Sequence, residues 1–227
     1  MIRYFTYFIM VFLMTILSIK LHAQNDVTKF LGIPIDGYKS EMIKKLKSKG
    51  FEINPHSAEV LDGEFNGTNV NIFIGTNNNK VWRIALADAK DMSEDNIKIR
   101  FNNLLQQFHN NRNYLSSSDS FMLKYTIPED EDISYELTVN KKRYQAVFYQ
   151  KTAAYDSLST ENDILMTKEN RSDNDREKSA SLIVEIFRES LKSLEKTVWF
   201  MINERYGKYY ITIFYENLYN KANGEDL

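Results

Sequence analysis

Residues 59–87 read EVLDGEFNGTNVNIFIGTNNNKVWRIALA, and their pattern decides the fold class. Asn66-Gly67 is the dipeptide best suited to a two-residue hairpin turn, because both turn positions need positive φ. Glu59 to Phe65 leads into it. Asn69 to Ile74 leads out, with Val70, Ile72 and Ile74 on one face and Asn69, Asn71 and Phe73 on the other. That period of two is the signature of a strand with one buried face. Gly75 to Lys80 (GTNNNK) supplies the next turn. Val81 to Ala87 is the third strand, with Val81, Arg83 and Ala85 opposite Trp82, Ile84 and Leu86. Strands joined by short turns predict an antiparallel meander.

Helical patterns flank the meander. Tyr38 to Lys49 places Met42, Ile43 and Leu46 on one face and five lysines around the rest. Gly50 supplies a left-handed stop, and Phe51 the apolar contact after it. Asp91 and Glu94 have capping-box spacing, with Ser93 as a competing cap. The helix they open runs to about Asn111 on a stripe of Ile97, Phe101, Leu104, Leu105 and Phe108. With Thr28 to Ile35 as a short opening strand or extended lead-in, residues 27–115 read β-α-β-β-β-α.

Residues 119–220 read as a second α+β module. Phe121 to Ile127, Tyr135 to Val139 and Arg143 to Gln150 are expected strands, the last two around a turn at Asn140-Lys141-Lys142. Residues 152–174 are polar and read as a long loop with room for one helical turn near Ile164 to Met166; a loop of that length inside a domain is either mobile or functional. Asp175 to Lys196 is an expected helix that buries Leu182, Ile183, Ile186, Phe187, Leu191 and Leu194. Thr197 to Asn203 and Lys208 to Leu218 close the chain as aromatic strands turning at Tyr206-Gly207. The whole is an α+β fold, antiparallel sheet packed on three amphipathic helices. The two modules pack together or share one sheet. Lys80–Ile84 echoes Thr197–Ile202, so two related modules are one alternative.

The first 23 residues address where the chain works. Arg3 precedes an apolar run from Phe5 to Ile19, and Leu21-His22-Ala23-Gln24 offers a small residue for cleavage after Ala23. This is the order of a signal peptide. The apolar run, about 15 residues, is shorter than the roughly 20 that span a bilayer. Removing Arg3 and Lys20 from the 29 basic residues leaves 27 against 31 acidic ones, a net charge of −4. Nucleic-acid binding by bulk charge is disfavoured at that balance. The chain has no cysteine, so an exported form has no disulfide, no thiolate chemistry and no lipid-bearing cysteine after the signal. The expected product is soluble, periplasmic or secreted, without a stable membrane anchor.

The helix at Tyr38–Lys49, the Gly50-Phe51 stop and the strands of residues 59–87 resemble the small α+β modules of bacterial envelope proteins. These include SmpA/OmlA-type and beta-lactamase-inhibitor-protein-like folds. The signal ending Leu21-His22-Ala23-Gln24 and the lead-in Phe30-Leu31-Gly32-Ile33-Pro34 are similar to uncharacterised exported proteins of Bacteroides-type bacteria. The resemblance implies a scaffold that binds other proteins. It carries over no residue role.

His56 and His109 are the histidines left after signal removal, and neither has a nucleophile elbow or a metal-ligand spacing near it. Glu129-Asp130-Glu131-Asp132 lacks the alternation and glycine of a calcium loop and reads as a solvated turn. No cofactor is expected. Asp156-Ser157-Leu158 matches a short O-glycosylation signal of exported Bacteroides-type proteins, making Ser157 a candidate modification site. Asn66-Gly67-Thr68 reads as turn chemistry. The aromatic C-terminal strands are the better candidate: Trp199, Tyr210 and Phe214 share one face, which is either covered by a second layer or open for binding. The expected function is a non-catalytic binding protein whose partner is an envelope protein. A glycan on the same aromatics is the alternative, and a carboxylate-dependent hydrolase is a third.

Overall fold

The computed structural model describes residues 26–115 and 119–222. The segment read as a signal peptide lies outside the described residues. In chain order the elements are β1 (Lys29–Phe30), β2 (Ile33–Pro34), α1 (Lys39–Lys47), β3 (Glu52–Asn54), β4 (Ser57–Phe65), β5 (Thr68–Asn77), β6 (Lys80–Asp88) and α2 (Glu94–His109). Then come α3 (Asp119–Tyr125), α4 (Ile133–Thr138), β7 (Gln145–Tyr149), α5 (Ala153–Met166), α6 (Asp173–Ser193), β8 (Thr197–Arg205), β9 (Lys208–Glu216) and a single 3-10 turn, Leu218–Asn220. The fold is α+β.

The turns set the register. Asn66-Gly67, Asn78-Asn79 and Tyr206-Gly207 all have positive φ and close the hairpins β4–β5, β5–β6 and β8–β9. Seven strands form one antiparallel sheet in the order β3-β4-β5-β6-β9-β8-β7. β9 therefore stands between strands from both halves, with Ile84 opposite Tyr215 and Leu86 opposite Ile213. Asp88 locks this joint: it is nearly buried, receives two bonds from Arg100 of α2 at 2.6 and 2.8 Å, and accepts the Ile211 amide at 3.1 Å.

One face of the sheet carries the core. Met42 and Leu46 of α1 and Ile97, Phe101, Leu104, Leu105 and Phe108 of α2 bury with Ile72, Leu86, Phe200 and Ile213. Phe200 is fully buried, with the rings of Phe101 and Phe108 centred 5.0 and 5.6 Å away. The stop after α1 works as its residues require: Gly50 takes φ 95°, and the Phe51 amide bonds the Leu46 carbonyl at 3.2 Å. Phe51 then lies across Gly63, where a Cβ would come within 2.3 Å of the ring.

Several expectations are corrected. Thr28–Ile35 is not one strand; Leu31 and Gly32 at positive φ fold it into the β1–β2 hairpin. Phe121–Ile127 and Tyr135–Val139 are helices, α3 and α4, rather than strands. Met122 and Tyr125 sit three apart against the core, Ile133 and Leu137 four apart, and Asp132 caps α4 by accepting the Tyr135 amide at 2.8 Å. No hairpin forms at Asn140–Lys142. Gly75 and Thr76 of β5 pair Arg83 and Val81 of β6, leaving Trp82 as an extra residue, so Val81 joins Ile84 in the core and Trp82 moves to the opposite side, away from Ile84. Ser93, not Asp91, occupies the cap position of α2, and Asp91 pairs Arg205 at 2.6 Å.

The largest correction concerns residues 152–174. They are not a long loop: Ala153–Met166 is helix α5, capped by Thr152, and α5 and α6 form a helical hairpin inserted between β7 and β8. Its inside is thin, with Leu165, Ser179 and Leu182 buried and the Ser179 hydroxyl donating to Asn162 at 2.7 Å. Of the six side chains expected to bury, Leu182 does so. Ile183, Phe187, Leu191 and Leu194 are exposed and Ile186 is half-buried, because α6 packs on α5 and not on the sheet. We call this hairpin the arm and the rest of the molecule the body.

Candidate functional site

Opposite the core, the sheet presents its alternate residues. The pairings align Val60, Phe73, Ala85, Phe214, Trp199 and Val147 in one row across β4, β5, β6, β9, β8 and β7. None of the six is fully buried, and none belongs to the core cluster. The next row is more polar: Asp62, Asn71, Ala87, Thr212, Met201 and Gln145. The row is thus an apolar line beside a more polar one, with Phe73 exposed and the other five side chains half-buried.

The row is rigid at its centre. Trp199 and Phe214 stack with centroids 4.1 Å apart and planes 19° from parallel. Glu216, almost fully buried, accepts the Trp199 Nε1–H at 3.0 Å and forms an ion pair with Arg83. The Arg83 guanidinium lies 4.2 Å from the Trp82 ring centroid and 4.9 Å from that of Phe214. The register shift in β6 puts Trp82 and Arg83 on this side together. Tyr210 lies further along β9 on the same face, opposite Asn203, with Arg205 5.2 Å from its ring. Trp199, Tyr210 and Phe214 thus share one face, each half-buried, but Tyr210 is not part of the stack.

Sequence reasoning missed Trp82, Arg83 and Glu216. Their proximity depends on β6 lying beside β9, and no local signal in the sequence encodes that pairing. It also missed Val60, Phe73 and Val147 as members of the row, for the same reason.

A cleft of about 460 Å³ opens at the arm's base, floored by Phe65, Tyr114 and Tyr215 and rimmed by Lys29, Lys151 and Lys196. Its cations face carboxylates: Lys196 and Lys29 meet Asp26 at 3.0 and 3.6 Å, and Lys151 meets Asp156 at 3.0 Å. Burial lowers the Lys196 ammonium below the usual lysine range despite that partner. Burial and the neighbouring Tyr114 push Tyr215 well above an ordinary tyrosine. Burial opposes ionisation of Asp26, yet the Lys196 bond, the Ala153 amide and nearby lysines hold its carboxyl below the normal range.

The remaining candidates have structural settings. His56 is exposed, its amide bonded to Asn54 at 2.8 Å, and His109 ends α2. In the acidic run, Asp132 caps α4, Glu131 bonds Lys142 and Tyr144, and the Glu129 carbonyl accepts Lys98 at 2.9 Å. Among the described residues no group of three or more His, Asp or Glu is placed to hold a metal ion. Ser157 is exposed on α5, in a helix and not in the loop expected there. No helix among the described residues is long and apolar enough to cross a membrane.

Comparison with protein-family models, with curated proteins and with solved structures finds no match to the chain.

Proposed function

We propose that this chain is an exported, non-catalytic binding protein of the bacterial envelope that recognises another protein through the open face of its sheet. The observation that carries the reading is the transverse apolar row centred on the Trp199–Phe214 stack. Its rings are held from below by Glu216 and Arg83, so little side-chain entropy remains to be lost on binding. Aromatic and arginine side chains in a preset arrangement are the usual anchors of protein interfaces. The amino-terminal order of charge, apolar run and small residue supports export.

A glycan is the weaker occupant. A sugar stacks on a free ring face, and Trp199 and Phe214 each give one face to the other. A hydrolase has less support still. It needs a carboxyl raised toward neutrality, whereas Asp26, Glu131, Asp175 and Glu189 are all displaced downward.

The test is crosslinking of the tagged protein in intact cells, with partners identified by mass spectrometry. One envelope protein should be recovered in stoichiometric amount from the natural sequence and lost from Trp199→Ala, while the variant's urea midpoint shows it still folded. Recovery unchanged by Trp199→Ala and by Phe73→Ala would remove the open face as the site.

A further inference from the structure

The arm carries an apolar surface that the described residues do not cover. On α6 and its C-cap the side chains of Ile183, Val184, Phe187, Leu191 and Leu194 are between 45% and 64% exposed. Ala180, also exposed, extends the line. Ala180, Val184, Phe187, Leu191 and Leu194 are spaced four, three, four and three apart, the alternation of a coiled-coil seam. The opposite side of α6, through Ser179 and Leu182, is the side that packs on α5. A stripe of this period can interlock with the same stripe on another helix.

The arm does not close this seam on its own body. Its base is fastened at both legs. Thr152 donates to Glu189 at 2.6 Å, the Lys196 ammonium bonds the Lys151 carbonyl at 2.8 Å, and the Gln150 amide bonds the Lys196 carbonyl at 2.9 Å. Asp26 reaches the Ala153 amide at 2.8 Å and completes the clasp. Folding the arm over the sheet would break these bonds.

We propose that the occupant is α6 of a second copy of this chain, so that the protein dimerises through its arms. The seam is its own complement. It runs from residue 180 to 194 with Phe187 at the midpoint, so a two-fold axis there places Phe187 against Phe187 and lays seam on seam. The exposed side chains amount to on the order of 500 Å² per copy, at the upper end of the patches that monomers leave uncovered. Two copies bury about 1,000 Å² from the seam alone, the threshold of a specific interface. This inference is independent of the Trp199 face and stands or falls separately.

The test is the mass of residues 24–227 by light scattering from about 1 to 100 µM. The natural sequence should double in mass across that range. Phe187→Glu and Leu191→Glu should each remain at the single-chain mass, with unchanged thermal melting of the body. The absence of cysteine gives a second readout: Phe187→Cys should form a covalent dimer on mild oxidation, and Lys192→Cys, off the seam, should not. A single-chain mass at 100 µM overturns the proposal. So does a dimer that survives both glutamate substitutions, or a monomer that pairs only with a helix from some other protein.

Discussion

The body and the arm are made of similar side chains and treat them in opposite ways. In the body, α2 buries every member of its stripe, from Ile97 to Phe108, against a sheet seven strands wide. In the arm, α6 has a stripe of equal quality, yet much of it faces outward. The difference is the neighbour available. α2 crosses a sheet whose alternate residues are apolar, whereas α6 packs chiefly on α5, whose own inner line is interrupted by Asn162. An amphipathic helix shows that a partner exists and leaves open whether the partner belongs to the same chain.

The largest expected effect tests the contrast at its extremes. Phe200→Ala empties the centre of the body's aromatic cluster and should cost about 3–5 kcal/mol of stability. Phe187→Ala on the arm, measured at a concentration where the chain is monomeric, should stay within about 0.5 kcal/mol. Urea denaturation followed by circular dichroism reads both. Similar losses would mean that the arm is an integral part of the core.

A smaller effect sharpens the account of the open face. Glu216→Gln leaves Arg83 without its counter-charge and weakens the hold on Trp199, for a cost of about 1.5–3 kcal/mol. In a Trp82→Phe background, which leaves Trp199 as the one tryptophan, the fluorescence should shift to the red and become easier to quench. An unchanged spectrum would show that the stack does not depend on the carboxylate beneath it.

The smallest effect is local to the arm. The Lys168 ammonium, with the Ser172 hydroxyl and amide, holds the Asp175 carboxyl well below the usual carboxylate range. Such a group binds its proton less readily folded than unfolded. Its stabilisation is therefore complete above the unfolded value of about 3.9 and is lost as pH falls through the folded value. Acidification below about pH 4 should perturb the amide signals of residues 168–180 while those of β9 hold. Asp175→Asn should abolish the difference. Simultaneous loss in arm and body would erase the distinction between them.

How much of this was legible in the sequence depended on the range of the interaction. The β4–β5 hairpin, the Gly50-Phe51 stop, the stripe of α2 and the Tyr206-Gly207 turn are set by residues close together, and all are present in the structure. α5 was hidden because Asn162 stands on its inner line, satisfied by a Ser179 hydroxyl from the next helix. α3 and α4 were hidden by short length: six or seven residues show alternation and helical spacing equally well. The candidate site was half legible. The shared face of Trp199, Tyr210 and Phe214 follows from alternation along two strands. The contribution of Trp82 and Arg83 follows from a register shift and a distant pairing, neither of which leaves a local trace.

The place of β9 has a consequence for the order in which the molecule can assemble. Arg83 and Glu216 meet across the sheet from positions 133 residues apart. The last of the described strands in chain order is the one that joins the two halves of the sheet. Until it is in place, β6 and β8 each end in an unpaired edge, Asp88 lacks the Ile211 amide, and α2 has only part of the surface it must cover. Such long-range closure is slow and comes late. A chain from which β9 is withheld therefore leaves an open edge on each half of its sheet, and the body closes when that strand is added.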